Sequence, residues 1–386
     1  MKKLSERELL MIPGPTMVDP RVLRVLSKPT LSHVSPAFVD IFDEAIGNLK
    51  KIFMTKGDVL IICGSGTLAT EMAVANIVEP GDKVLVVING LFGERFAEIC
   101  ARHKANVTRL NVDWGKIAAP ERISEELAKD NYKALFVVHV DTSTGATNKI
   151  REIGEITKDS DTLFVVDTVC SLGGMEVPVD DWNIDICASG SQKAIAAPPG
   201  LALLAVSGKT LKKCEGRSEP VDFYYGDFQN WIPIMKAPRK YFATPAVNMV
   251  YALNESLKMI LTEGLENRFR RHEDIARSFR AAVKSMGLGL VPDETVAANT
   301  LTVMRYPNGV NDADFRDIMA KEFKVIVAGG LGPLKGKCFR VGHMGNVSVA
   351  DITATIGAIE MTLQKLGYNV KPRTGLESAE EVLMGI

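Results

Sequence analysis

Between about Gly57 and Ser207 the chain alternates short runs of β-branched and aliphatic residues with helical patterns, and the runs are apolar on successive residues instead of every second one. Asp58–Cys63, Lys83–Ile88, Ala134–Val138 and Leu163–Val166 have this character. A strand that is apolar at every position must be covered on both faces, which a mainly parallel sheet between two helix layers provides. The expected fold is therefore α/β, built from successive βαβ units. Leu201–Val206 follows the strand read at Ile184–Ser189 too closely for a helical crossover. It is expected to run antiparallel within the same sheet.

A chain of 386 residues with 46% hydrophobic content can bury more than one core. Beyond Glu219 the alternation gives way to an aromatic stretch, Phe223 to Trp231, and then to a long helical region from about Pro245 to Ser285 that is expected to link two domains. Thr300–Arg305, a helix from Asp312, strands near Lys324–Val327 and Cys338–Val341, and a helix near Ile352–Leu366 point to a smaller C-terminal α+β domain. We divide the chain into an N-terminal segment (residues 1–20), a large domain (21–255) and a small domain (256–386). A net charge of −1 provides no overall field for nucleic acid or an anionic membrane. No stretch reaches the roughly 18 uninterrupted apolar residues of a membrane helix. The first residues carry acidic groups and lead into a Pro-Gly-Pro turn instead of an apolar signal core. The expectation is a cytoplasmic enzyme with neither nucleic-acid nor membrane partners. The six cysteines form no CxxC pair and mostly sit in apolar stretches, so they read as buried free thiols, and no metal site is expected.

The chemistry concentrates at the ends of these strands. One apolar run ends in Asp167, and the next is followed by Lys193, within Ala188-Ser-Gly-Ser-Gln-Lys-Ala194. A strand-end carboxylate and a loop amine are what pyridoxal phosphate requires: an amine to condense with its aldehyde, and an acid partner that keeps its pyridine nitrogen protonated. Taken alone, a lysine after a strand is usually a solvated one. Upstream, Asp58–Cys63 runs into Gly64-Ser-Gly-Thr67 and a helix carrying Leu68, Met72 and Ala75. Such a helix start, with the Ser65 and Thr67 hydroxyls, suits a phosphate dianion, although the same residues also serve as a plain turn with a threonine cap. Phe92, in Asn89-Gly-Leu-Phe-Gly93, is placed either to stack on the pyridine face or simply to pack. The polar turn His139 to Gly145 offers hydroxyls, Thr142 first, to the cofactor's phenolic oxygen. Strand ends on one edge of a parallel sheet converge, so Gly66, Phe92, Thr142, Asp167 and Lys193 are expected to meet.

Together these residues resemble the class V, fold-type I pyridoxal-phosphate aminotransferases, in particular the alanine:glyoxylate and serine:pyruvate branch. The resemblance covers nearly the whole chain. It is carried by Pro13-Gly-Pro15, Gly64-Ser-Gly-Thr67, Asp141-Thr-Ser-Thr-Gly145, Val166-Asp-Thr-Val-Cys-Ser-Leu-Gly-Gly174, Gly190-Ser-Gln-Lys-Ala194 with Pro198-Pro-Gly200, Tyr241-Phe-Ala-Thr-Pro245 and Arg340-Val-Gly342. It implies that Lys193 is the cofactor-binding lysine and proton-moving base, and that Asp167 protonates the ring nitrogen. Gly66, Thr67 and Gln192 would hold the phosphate, joined by Tyr241 and Thr244 of a neighbouring subunit, so the resemblance also implies a homodimer with shared sites. Arg340 would grip the substrate carboxylate in a two-pronged hydrogen bond that a lysine does not reproduce. The Gly14 backbone would line the substrate pocket. Some relatives carry His at the position of Thr67 and Trp at that of Phe92.

The expected reaction is transamination from alanine or serine to glyoxylate or pyruvate. A cysteine desulfurase shares this fold, but typically has His where Gln192 stands and needs an exposed reactive Cys, which neither Cys170 nor Cys338 resembles. A decarboxylase, an aldolase or a 2-aminoethylphosphonate transaminase would use the same scaffold, since Arg binds phosphonate as well as carboxylate. A noncatalytic subunit of a larger redox assembly is the alternative of another class. Intact Lys193, Asp167 and Arg340 argue against it.

Overall fold

The computed structural model describes residues 8–385; the expectations resting on residues 1–7 lie outside the described residues. The large sheet contains β1 (Asp58–Cys63), β2 (Lys83–Ile88), β3 (Asn106–Asn111), β4 (Ala134–Val138), β5 (Leu163–Asp167), β6 (Ile186–Gly190) and β7 (Leu201–Val206). Their spatial order is β1-β7-β6-β5-β4-β2-β3. From β3 to β6 every neighbouring pair is parallel, and β7 runs antiparallel to both β6 and β1. The antiparallel placement of Leu201–Val206 is thus as expected. Strand β6 starts two residues later than the sequence suggests, because the Ile184 N–H turns back to the Val179 carbonyl at 3.0 Å instead of reaching a neighbouring strand.

β4, β5 and β7 are buried at every residue, the result anticipated from their unbroken apolar runs. Fully burying an aliphatic side chain of this size is worth roughly 1.5–3 kcal/mol, which makes these strands the stable frame of the molecule. Since β1 and the parallel strands point the same way, the ends at Cys63, Ile88, Val138, Asp167 and Gly190 lie on one edge of the sheet. Helices α1 (Gly66–Ile77) and α2 (Leu91–Arg102) start from that edge.

The long helical region is not one helix. It divides into α3 (Val247–Glu263) and α4 (Leu265–Ser285) at Gly264, whose φ of 83° is a left-handed value that favours glycine. Leu257 and Ile260 pack into the core of the large sheet, whereas Ile275, Phe279 and Val283 pack into a second core. That second core lies against a three-stranded antiparallel sheet in the order β8 (Leu301–Arg305), β10 (Cys338–Gly342), β9 (Ala328–Gly329). Val325–Ile326 stands apart from this sheet and pairs in parallel with Leu9–Leu10. Leu9–Leu10 of the N-terminal segment therefore lie against the C-terminal part of the chain. A further helix spans Thr374–Met384.

Five of the six cysteines are buried as expected, and Cys63 is exposed. The correction has a simple cause: Cys63 is the last residue of β1, where the strand leaves the covered sheet and turns into Gly64.

Candidate active site

Four loops at the carboxyl edge of the large sheet enclose a cavity of about 240 Å³. From the turn after β1 come Ser65, Gly66 and Thr67; from the start of α2 comes Phe92; from the end of β5 comes Asp167; and after β6 come Gln192 and Lys193. A small adjoining space of about 30 Å³ brings in Thr142 beside Phe92, Asp167 and Lys193. The convergence anticipated from the strand ends is therefore present.

At the β1 turn, Ser65 occupies the N-cap position of α1 but makes no side-chain capping bond. Thr67 lies inside α1 and is not its cap, and the helix start remains open toward the cavity with its positive dipole end. The end of β6 lies close by: a Cβ built on Gly190 would stand 2.9 Å from Gln192 Oε1 and 3.2 Å from the Gly66 nitrogen. Gln192 Oε1 is buried without a hydrogen-bond partner. A buried acceptor without a partner is costly, so its position marks where a hydrogen-bond donor fits.

Asp167 is 6% exposed and accepts from the Val169 N–H at 2.8 Å. Burial raises its carboxyl to about 6, the Val169 bond opposes that rise, and the nearby Asp141 carboxylate adds to it. Lys193 is pushed in the other sense: burial lowers its amine from the ordinary lysine value, with the Arg340 charge acting in the same direction. Its Nζ donates to the Pro13 carbonyl. Gly14, at φ 107°, passes so close that a Cβ there would lie 2.4 Å from Lys193 Cδ. Thr16 completes this clasp, its hydroxyl donating to the Lys193 carbonyl at 2.9 Å and its N–H to the Gln192 carbonyl at 3.0 Å.

Arg340, on β10, reaches across from the small domain. Its Nε donates to the Gly329 carbonyl at 2.8 Å and its Nη1 to the Thr142 carbonyl at 3.1 Å. Those bonds fix the guanidinium plane and leave its outer edge for another acceptor. Tyr241 and Thr244 line neither space. Tyr241 is 66% exposed, its hydroxyl lies 3.4 Å from Thr244 Oγ1, and its ring lies 5.4 Å from that of His33.

Two charged groups of the site were not anticipated. Asp141, fully buried, accepts from the Phe92 N–H at 2.9 Å while Ser143 Oγ accepts from the Leu91 N–H at 3.0 Å. Together they cap α2, whose own N-cap residue, Gly90, has no side chain. Arg95 lines the cavity one turn after Phe92; the i, i+3 spacing from Phe92 was the available signal. Neither thiol considered for the desulfurase alternative is exposed: burial pushes Cys170 and Cys338 up to about 11.

Among the described residues no helix is long and apolar enough to cross a membrane. The aminotransferase class-V family pattern matches residues 13–368. An uncharacterized aminotransferase of Methanocaldococcus jannaschii is 45% identical over 385 residues, spanning 100% of both chains. A protein of Synechococcus named as the small subunit of soluble hydrogenase is 36% identical over 98% of this chain and 99% of its own. The crystal structure of ureidoglycine–glyoxylate aminotransferase from Bacillus subtilis has a TM-score of 0.96 at 34% identity and covers 100% of both chains.

Proposed function

Because the chain belongs to the class V aminotransferases, pyridoxal-phosphate-dependent transaminases of fold type I, we propose that it moves the amino group of a small L-amino acid, alanine or serine, to glyoxylate or pyruvate. The observation that carries this reading is the meeting of the Lys193 amine and the Asp167 carboxylate in one cavity beside an open helix start, with the Arg340 guanidinium, outside the lining of both spaces, clamped to the Thr142 carbonyl at the adjoining one.

These residues fit the cofactor. Ser65, Gly66, Thr67 and Gln192 would hold its phosphate, since the helix start is uncapped and the Gln192 side-chain amide at the cavity wall can donate through Nε2 to a phosphate oxygen. Asp167, a buried carboxyl, would pair with the ring nitrogen, Phe92 would cover a ring face, and Thr142 would meet the phenolic oxygen. When bound, the cofactor supplies an electron sink for the bonds at the substrate Cα. Lys193 contributes an amine whose lowered pKa leaves more of it neutral and nucleophilic at a given pH. Once the substrate amine takes its place, the same Nζ takes and returns the Cα proton. Arg340 orients the substrate by its carboxylate, and the Gly14 backbone closes the pocket over the lysine.

The exposure of Tyr241 and Thr244 away from the cavity supports a homodimer in which each subunit lends this pair to its neighbour's phosphate site. The matching division of the chain is an N-terminal segment whose Gly14 lines the pocket, a cofactor domain and a small domain, in a cytoplasmic enzyme; the boundary expected between residues 255 and 256 moves to Gly264, because Leu257 and Ile260 pack into the large core. Initial rates test the reaction: a two-half-reaction scheme predicts parallel double-reciprocal lines when alanine is varied at several fixed glyoxylate concentrations, and intersecting lines would count against it.

A further inference from the structure

Helix α2 carries several charged residues, and they are not partnered alike. Glu94 pairs with Arg109, and Glu98 pairs with Arg102 at 2.7 Å. Arg95 has no carboxylate within 4.0 Å among the described residues. Its guanidinium turns instead to the cavity, where Nη1 donates to Thr67 Oγ1 at 3.1 Å and the Cζ atom stands 4.7 Å from the centre of the Phe92 ring. Arg95 and Lys193 are the cationic side chains lining this cavity. Lys193 is committed to the aldehyde end of the proposed cofactor.

We propose that Arg95 is the cation that neutralises the cofactor's phosphate from within its own subunit, a role that extends the cofactor reading given above and rests on it. The argument is one of position and hydrogen-bond sense. Thr67 sits in the first turn of α1, next to the Gly66 N–H. By donating to Thr67 Oγ1, Arg95 occupies an acceptor site of that hydroxyl, so the hydroxyl proton is free to point at a phosphate oxygen. The remaining guanidinium N–H groups face the same dianion, for which a planar, permanently charged donor is well suited. The contact with Phe92 fixes the guanidinium against a ring that is itself held in place by the capping of α2 through Asp141 and Ser143. Without Arg95, the phosphate in a single subunit would meet a helix dipole and neutral donors but no full positive charge.

The experiment uses purified enzyme from which the cofactor has been removed by a competing amine, and measures equilibrium binding of pyridoxal phosphate and of pyridoxal, which lacks the phosphate, by quenching of tryptophan fluorescence. For Arg95→Gln the expected result is about a 10- to 100-fold weaker dissociation constant for pyridoxal phosphate, no change for pyridoxal, and substantial recovery in Arg95→Lys. The wild-type affinity for pyridoxal phosphate should also fall more steeply with added salt than that of Arg95→Gln. Equal loss for both ligands would assign Arg95 to packing of Phe92 and overturn the proposal, as would unchanged binding of pyridoxal phosphate. Wild-type protein that binds neither compound would instead overturn the cofactor reading on which the proposal stands.

Discussion

The two ends of the candidate site are built in different ways. At the cofactor end, Ser65, Gly66, Phe92, Asp167, Gln192 and Lys193 come from loops at the edge of one buried sheet, and their positions are set by strands that share a single core. At the substrate end, Arg340 comes from a strand of the small domain and Gly14 from the N-terminal segment. That segment is tied to the small domain by the pairing of Leu9–Leu10 with Val325–Ile326 and by the Gly342 N–H donating to the Met11 carbonyl at 2.9 Å. It is tied to the lysine loop by Thr16. On the proposed reading, one sheet presents the chemistry, while parts from separate chain regions choose what the chemistry acts on. The contrast predicts that changes at the first end remove catalysis and changes at the second alter recognition.

Lys193→Ala should break the contrast most severely if it is wrong. Turnover is expected to fall by at least about 10³-fold, with the circular dichroism of the folded protein preserved, because the other cofactor contacts and the core are untouched. Turnover within about tenfold of wild type would remove Lys193 from its role.

Asp167→Asn asks whether the cofactor end is paid for in stability. The Asp167 carboxyl stands at about 6 against an ordinary value of 3.8, so the stability associated with its protonated form is complete below about 3.8 and is lost as pH rises through about 6. Cofactor-stripped Asp167→Asn should therefore be more stable than stripped wild type at pH 8, by about 2 kcal/mol once the weaker hydrogen bond of the amide is allowed for. The advantage should shrink as pH falls below 6. Urea unfolding at several pH values would measure it, and a variant less stable at pH 8 would show that the carboxylate is well solvated or paired.

The smallest effect belongs to the substrate end. Arg340→Lys is expected to raise the KM for the amino acid about tenfold or more, because an ammonium does not reproduce the planar two-pronged bond, while cofactor binding stays unchanged. Loss of cofactor together with substrate affinity would show that the two ends are not separable.

The same contrast explains what could be read from the chain. The strands of the cofactor end were legible because burial on both faces forces unbroken apolar runs, as in Leu163–Val166, and because the few residues between β6 and β7 leave no room for a crossover helix. The loops at their ends follow from the sheet's polarity. Less was legible where single residues or distant partners decide. Gly264 breaks a helical pattern that continues on both sides, and Val325–Ile326 finds its partner more than three hundred residues away. Arg95 was hidden for another reason: it lies on an amphipathic helix among paired surface charges, and beyond its i, i+3 spacing from Phe92 it is the three-dimensional position of Thr67 that distinguishes it from Arg102. The exposure of Cys63 depends on the last residue of a strand, where burial patterns are least informative.

The most direct measurement is the visible absorption spectrum of the purified, cofactor-loaded enzyme as L-alanine, L-serine, L-cysteine and 2-aminoethylphosphonate are added one at a time without an acceptor. Transamination from a small amino acid predicts that alanine or serine abolishes the yellow band of the lysine-bound cofactor and that glyoxylate or pyruvate restores it. A band that responds only to cysteine with release of sulfide, only to 2-aminoethylphosphonate, or to none of these compounds would contradict it.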